Sequence, residues 1–197
     1  IPHLFLKKVV KGFSLPKEGD YSVGMCFFPH EANIEEYQKE IEYTVKKRGF
    51  IHLGWRKVPV NSAILGSLAL DTEPPIYQLF ITHESYKEET LNRQLYILRR
   101  HIEKRITETV GMKHQFFICS LSSSTIIYKG LLTPHQVTSY YPDVSDPDFM
   151  SAFSIIHSRF STNTLPEWRL AQPFRFLAHN GEINTLKGNI NRQKARE

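Results

Sequence analysis

Apolar residues recur at helical spacing in two long segments of the chain, near residues 33–48 and 85–110. Each has hydrophobic positions three or four residues apart, which predicts an amphipathic helix with one buried stripe. Glycine follows each segment, at Gly49 and Gly111, where it is typical of a helix C-terminus. The apolar positions are Ile34, Tyr37, Ile41 and Val45 in the first helix and Leu91, Leu95, Leu98, Ile102 and Ile106 in the second.

Five other segments are β-rich or show the alternation of apolar and polar residues that is typical of a β-strand. Three serines, at 122–124, separate two of them and predict a hairpin turn. The last of the five leads into His157 and is expected to be a buried strand. The predicted strands lie near residues 21–28, 76–82, 115–121, 124–128 and 152–157.

Residues 50–60 are expected to be extended, with Pro59 restricting any strand there to a sheet edge or a strand end. A short helix is predicted within residues 61–69. Strands and long helices mixed in this order predict an α+β fold.

The composition is that of a folded globular protein. Hydrophobic residues make up 41% and charged residues 23% of the 197 positions, and the length fits one domain. No apolar run approaches the length of a membrane span. Two cysteines, Cys26 and Cys119, are too few for a disulfide framework, so a reducing compartment is expected.

The formal net charge is +5, which leaves a nucleic-acid-binding domain open as one hypothesis. The basic residues are spread along the chain and mostly interleaved with acidic ones, a pattern that favours solvated helix faces. Nine histidines occur without an HxH or HExxH spacing, so no metal site is expected.

The segment from His157 to Thr164, HSRFSTNT, leaves the last predicted strand with an arginine followed by small hydroxyl residues. Arginine offers paired, parallel N–H donors, and serine and threonine add further donors, so the segment suits the binding of a carboxylate by Arg159. The alternative is a structural salt bridge of Arg159 with a turn after it.

The segment from Ala178 to Asn184, AHNGEIN, contains an Asn-Gly pair after an apolar run. Asn-Gly is common in type I′ hairpin turns, and taken alone that interpretation is favoured. The functional alternative is an oxyanion hole, because the side-chain amide of Asn180 and the backbone N–H of Gly181 can converge on one oxygen.

Together, the paired motifs HxRFST and HNGEINT, within the stretch from His157 to Glu197, resemble the glutaminase domain of glutamate synthase large subunits. That domain is a class II glutamine amidotransferase of the N-terminal-nucleophile hydrolase type. The resemblance covers nearly the whole chain, because it extends upstream through further segments. These are GDYSVGM at 19–25, LGWRKVPV at 53–60, YKGLLTP at 128–134 and YYPD at 140–143.

The resemblance implies a role for each matching residue. In the family, a cysteine at the mature N-terminus attacks the side-chain amide of glutamine, its own α-amino group acts as base, and ammonia is released. By similarity, Arg159 binds the α-carboxylate of glutamine, and Thr162 with the backbone around Asn163 orients it. Asn180 and Gly181 form the oxyanion hole.

The chain departs from the family at its ends. It begins with Ile1-Pro2-His3, which matches a family segment downstream of the nucleophile, so we expect both ends to continue in a longer protein. Cys26 and Cys119 lie in predicted apolar strands and are expected to be buried core residues rather than nucleophiles. The 197 residues, as a single partial amidotransferase domain, are therefore expected to be inactive alone.

The resemblance also implies a four-layer αββα sandwich, incomplete within this chain. It implies L-glutamine as substrate and an active parent that transfers ammonia to 2-oxoglutarate to form glutamate. FMN and an iron–sulfur cluster are expected in other domains and none in this segment. Expected partners are the synthase domains of the parent and a small subunit or ferredoxin, without nucleic acid or membrane. The expected location is the cytoplasm, or a plastid in a photosynthetic eukaryote. The alternative is a non-catalytic module that binds glutamine.

Overall fold

The computed structural model of the chain describes residues 1–86, 88–110, 116–160, 165–174 and 186–196. The helices are α1 (His3–Val9), α2 (Ile34–Lys47), α3 (Ser67–Asp71), α4 (Glu88–Thr109), α5 (Gln136–Tyr140) and α6 (Leu186–Lys194). The strands are β1 (Tyr21–Phe27), β2 (Ile51–Lys57), β3 (Ile76–Thr82) and β4 (Phe117–Ser122). Short 3₁₀ turns lie at Ser62–Ile64, Pro142–Ser145 and Trp168–Leu170.

The four strands form one antiparallel sheet in the order β2-β3-β1-β4. The central strand β1 is buried along its whole length, because it has a neighbour on each side and a covered layer on each face. Strand β2 lies at one edge and ends at Lys57, two residues before Pro59, as the position of that proline predicts.

Helices α2 and α4 form a layer over one face of the sheet, where their predicted apolar stripes meet the strands. Ile41 and Val45 of α2 and Leu95 and Leu98 of α4 are fully buried in this layer. Gly49 has a φ of +77°, the left-handed conformation that ends a helix most readily at glycine. The predicted stop at Gly111 lies outside the described residues.

The opposite face of the sheet is covered by α1 and by the irregular chain between β4 and residue 149. Phe5 and Leu6 of α1 pack against Tyr21 and Phe80. Met25 and Phe27 of the central strand pack against Tyr140, Tyr141 and Trp168. Each face of the sheet therefore has its own hydrophobic core, and the described residues have the α+β architecture that the sequence predicts.

The predicted strand at 124–128 is wrong. Serine hydroxyls replace the backbone ladder there: the N–H groups of Ser124 and Thr125 bond to Ser122 Oγ, and the N–H of Ile127 bonds to Ser120 Oγ. Because these side chains satisfy the backbone donors locally, residues 124–128 do not pair with β4 as a strand. The turn at the serines is present, but it does not lead into a hairpin.

The predicted buried strand at 152–157 is also wrong. Residues 150–160 form an irregular segment outside the sheet, and Phe153, Ile155 and Ile156 are 74%, 63% and 84% exposed. A strand needs a neighbouring backbone edge as well as an apolar face. Within the described residues no strand lies beside this segment, so its hydrophobic pattern alone does not create one.

Candidate active site

The arginine that the sequence predicts to bind a carboxylate lies on the irregular segment 150–160. Arg159 is exposed, and its backbone N–H donates to Nδ1 of His157 at 3.3 Å. This hydrogen bond folds the backbone locally at the start of the HxRFST motif. Arg159 is thus placed at the surface of the protein, where a small anion can reach its guanidinium group.

The other predicted site residues lie outside the described residues. They are Thr162, Asn163, Asn180 and Gly181. Their expected convergence with Arg159 stays a prediction. Arg159 and the segment that connects the two motifs, residues 165–174, are the described parts of the candidate site.

The connecting segment is anchored to the rest of the protein by Trp168. The indole is 4% exposed, packs against the ring of Tyr140 with centroids 5.7 Å apart, and donates from Nε1 to the carbonyl of Ala69 at 3.2 Å. Gly130 makes room for it, because a Cβ at that position would overlap the indole ring. Within the connecting segment, Trp168 and Ala171 are therefore buried in the core beneath the sheet.

Both cysteines are buried free thiols, as the sequence predicts. Burial raises the pKa of Cys26 well above its ordinary value. Burial also raises the pKa of Cys119 to about 12, although the nearby ammonium of Lys129 acts in the opposite direction. A thiol held neutral inside the core has almost no thiolate at neutral pH, so neither cysteine acts as a nucleophile.

A buried polar network, which the sequence does not reveal, lies beneath the sheet. Arg56 on β2 donates to both carboxylate oxygens of Asp143 at 2.7 Å each and to Gln78 Oε1 at 2.9 Å. Tyr128 closes the network: its hydroxyl donates to Asp143 Oδ2 at 2.8 Å and accepts from Gln78 Nε2 at 3.0 Å. Arg56 and Asp143 each lie within a segment quoted for the resemblance, but their pairing spans too much sequence to be predicted.

Burial and ion pairing have opposite effects on the pKa of Arg56. Burial disfavours the charged guanidinium, yet the hydrogen bonds to Asp143 and the charge of that carboxylate outweigh it, so the pKa of Arg56 is raised. Burial, together with the negative charge of Asp143, also raises the pKa of Tyr128 well above its ordinary value. The network therefore holds one cation and one anion next to a neutral phenol.

Several basic side chains of α4 are paired with acidic ones. Arg105 of α4 donates to Glu40 of α2 at 2.7 Å, Arg100 bonds Glu103 at 2.6 Å, and Lys104 lies 3.6 Å from Glu108. This interleaving matches the expectation of solvated helix faces. It does not favour a continuous basic surface for nucleic acid.

Neither a metal cluster nor a membrane helix is found in the described parts of the chain. No group of three or more His, Cys, Asp or Glu side chains there could hold a metal ion. None of the helices in those parts is long and apolar enough to cross a bilayer.

The comparison with known families identifies the class of protein. The sequence model of the family described as "Glutamine amidotransferases class-II" matches residues 1–197. The chain belongs to this family, and the α+β structure with an antiparallel sheet is consistent with its N-terminal-nucleophile hydrolase fold.

Within that class, the chain is similar to glutamate synthases over its full length. It is 46% identical over 201 residues to the glutamate synthase (NADPH) large chain of Bacillus subtilis and covers 13% of that protein. It is 43% identical over 211 residues to the glutamate synthase (NADH) of Saccharomyces cerevisiae, of which it covers 10%. It is also 43% identical over 201 residues to ferredoxin-dependent glutamate synthase 2 of Synechocystis and covers 12% of it. All of this chain is matched each time, but the chain spans only about a tenth to an eighth of these relatives.

Proposed function

We propose that residues 1–197 are part of the glutamine amidohydrolase domain of a glutamate synthase. The parent protein would release ammonia from glutamine and transfer it to 2-oxoglutarate, forming glutamate. The observation that supports this most is the match of the whole chain, at 43–46% identity, to three proteins named as glutamate synthases.

The proposed reaction proceeds through a thioester. A thiolate attacks the side-chain carbonyl carbon of glutamine, its electron pair forms the C–S bond, and the carbonyl electrons move onto oxygen. When the tetrahedral intermediate collapses, the C–N bond breaks and the protonated nitrogen leaves as ammonia. Water then hydrolyses the thioester to glutamate and regenerates the thiol.

The nucleophile is proposed to come from sequence outside these 197 residues. Cys26 and Cys119 are buried, and the pKa of each thiol is raised. The family resemblance implies an N-terminal cysteine whose own α-amino group takes the thiol proton. The 197 residues alone, as a partial domain, are then expected to be inactive.

The chain's own contribution is to bind and polarise the substrate. Arg159, exposed on the irregular segment 150–160, is proposed to hold the α-carboxylate of glutamine with paired hydrogen bonds. Thr162 and the backbone near Asn163 would orient that group. The amide of Asn180 and the N–H of Gly181 would donate to the oxyanion, where charge develops in the transition state.

Two substitutions in the full-length parent test these roles, with glutamine hydrolysis as the measurement. Arg159→Ala should raise KM for glutamine at least tenfold, because it removes binding of the substrate carboxylate. Asn180→Ala should lower kcat about 10²–10³-fold, the usual cost of losing one oxyanion donor. Arg93→Ala and Asn92→Ala, two exposed positions on α4, are the matched controls and should leave both constants unchanged.

The outcomes separate the proposal from the alternative. A folded parent that binds glutamine but releases no ammonia would favour the non-catalytic binding module. A parent that neither binds nor hydrolyses glutamine would contradict both. Wild-type constants in Arg159→Ala would contradict the carboxylate role.

The remaining expectations concern the parent protein. We propose that FMN and an iron–sulfur cluster belong to its other domains, and that those synthase domains are the partners of this one. The relatives are named for NADPH, NADH and ferredoxin, so a small subunit and ferredoxin both stay candidate electron-transfer partners. We propose a cytoplasmic location, or a plastid in a photosynthetic eukaryote; one relative, from Arabidopsis thaliana, is named chloroplastic/mitochondrial.

A further inference from the structure

Lys129 is a buried lysine whose ammonium group is bound by main-chain carbonyls. The residue is 6% exposed. Its Nζ donates to the carbonyl oxygens of Arg169 and Ala171, both at 2.8 Å. Because a buried cation is costly unless its donors are satisfied, these two hydrogen bonds are the reason that the side chain can remain inside the protein.

Two aromatic rings complete the surroundings of the ammonium group. Lys129 Nζ lies 5.4 Å from the centroid of the Phe117 ring and 5.1 Å from that of Phe174. These distances allow cation–π attraction, which adds to the hydrogen bonds in a site shielded from water. Phe117 belongs to β4, whereas Phe174 belongs to the segment that connects the two motifs, so the cation bridges the sheet and that segment.

The lysine itself is held in place from its other side. The hydroxyl of Tyr141 donates to the carbonyl oxygen of Lys129 at 2.8 Å. The next residue, Gly130, lies against the indole of Trp168. Residues 129–130 therefore form a rigid support that contacts the connecting segment at Trp168 and at two carbonyls close to it.

The acceptors of Lys129 determine which part of the protein its ammonium group holds in place. A lysine bound to a carboxylate would position a side chain, but a lysine bound to two carbonyls positions the main chain. The carbonyls belong to residues 169 and 171, which lie between Arg159 and Asn180 in the sequence. Any shift of these carbonyls therefore changes the path of the chain that joins the two motifs.

We propose that Lys129 is a positioning residue for glutamine hydrolysis, acting by fixing the main chain between the carboxylate-binding arginine and the oxyanion-hole asparagine. This inference rests on the proposed function and goes beyond it, since Lys129 itself does not contact the substrate. A displacement of about 1 Å in a positioned catalytic group can cost roughly 100-fold in rate. The effect of losing Lys129 should therefore appear in catalysis more than in folding.

The test uses the full-length parent enzyme with Lys129→Met, Lys129→Arg and the control Lys46→Met. Methionine is similar in length and removes the donors, whereas arginine keeps the charge and can reach the carbonyls with a larger head group. Lys46 is an exposed lysine of α2, on the far side of the sheet. The measurements are kcat and KM for glutamine, thermal unfolding, and hydrogen exchange of the amides in residues 165–174.

We expect Lys129→Met to lower kcat/KM for glutamine by about 10- to 100-fold and to speed hydrogen exchange in residues 165–174. Its unfolding temperature should fall only moderately, since the cost of burying a cation is removed while the carbonyls of Arg169 and Ala171 lose their donor. Lys129→Arg should recover part of the activity and part of the exchange protection. Lys46→Met should match the wild type throughout.

Glutamate formation from added ammonium serves as an internal control, because it bypasses glutamine hydrolysis. It should be unchanged in Lys129→Met. Wild-type glutamine kinetics in a folded Lys129→Met protein, or unchanged exchange in residues 165–174, would overturn the inference. If Lys129→Met does not fold, faster exchange in residues 165–174 of Lys129→Arg together with wild-type kcat and KM would overturn it instead, because the main chain would then have been loosened without effect on catalysis. A wild-type parent that does not hydrolyse glutamine would instead count against the proposed function.

Discussion

Arg56 and Asp143 form a bidentate ion pair, with two N–H···O contacts of 2.7 Å, inside the layer beneath the sheet. Their side chains are 10% and 3% exposed. The pair joins β2 to the 3₁₀ turn at Pro142–Ser145, so a strand that lies at the edge of the described sheet gains an attachment through its side chain. Removal of either partner would leave the other charged and buried.

Arg56→Met should therefore destabilise the protein by about 3–5 kcal/mol, the range found when one partner of a buried ion pair is removed. Native-state hydrogen exchange of the β2 and β3 amides would measure this as a lower free energy of opening. The double variant Arg56→Met/Asp143→Leu should be less destabilised than the sum of the two single variants, because it leaves no unpaired charge. Additive losses would show that the two residues are not coupled.

Gly130→Ala should destabilise the protein by about 1–3 kcal/mol, since the new methyl group would overlap the indole of Trp168. The thermal unfolding midpoint measures this loss. Gly66→Ala is the matched control, because a Cβ at Gly66 has no atom within 4 Å. An equal effect of the two substitutions would mean that the contact with Trp168 is not responsible.

Cys26 and Cys119 should resist alkylation in the folded protein. Burial excludes the reagent and raises the pKa of both thiols, that of Cys119 to about 12. Treatment with iodoacetamide at pH 8 followed by peptide mapping should show neither residue labelled, and both labelled in urea. Rapid labelling of either cysteine in the native protein would contradict its assignment to the core.

The contacts of Lys8 with Asp146 and Asp148 should make the attachment of α1 dependent on pH. The ammonium of Lys8 lies 2.9 Å from a carboxylate oxygen of each residue. Its hydrogen bond lowers the pKa of Asp146 from the ordinary value of 3.8, so the stabilisation is complete above that value and is lost as pH falls through the lowered pKa. The pKa of Lys8 is raised by the same bonds, so the contribution is also lost at high pH, above the ordinary value of 10.5.

The measurement is the difference in stability between wild type and Lys8→Met as a function of pH. The difference should be constant from pH 5 to 9 and should vanish in acid below the lowered pKa of Asp146. Lys39→Met, at an exposed position on α2, provides a control without this dependence. A difference that persists at pH 2 would exclude ion pairing as its cause.

Helices and strands with a regular spacing of apolar residues could be predicted from the sequence, because that spacing marks the face that the element buries. Residues 34–47 and 88–109 are helices and residues 76–82 are a strand, close to or at the expected bounds. The strand expected at 124–128 failed for a reason that periodicity does not encode. The N–H groups of Thr125 and Ile127 donate to serine hydroxyls of β4 and not to its backbone carbonyls, so they do not form a strand ladder.

Long-range polar pairing could not be predicted in the same way. The motifs identify Arg159 as a candidate ligand of glutamine, since arginine near hydroxyl residues has a recognisable chemistry. Nothing local at Lys129 marks it as a ligand of the carbonyls at 169 and 171, because those partners are main-chain atoms. A residue expected to contact the substrate, such as Arg159, can therefore be recognised from a sequence motif. A supporting residue such as Lys129 is recognised only from its contacts in the structure.

The order of the strands in the sheet has a consequence for synthesis on the ribosome. Strand β1 ends at Phe27, but the strands beside it begin only at Ile76 and Phe117. Both edges of β1 can therefore be paired only after β3 and β4 have emerged from the ribosome. During that interval its apolar residues are exposed to other nascent chains, and contacts of such long sequence separation form slowly. Translation speed and chaperone access are thus expected to influence the yield of this domain more than local helix propensity does.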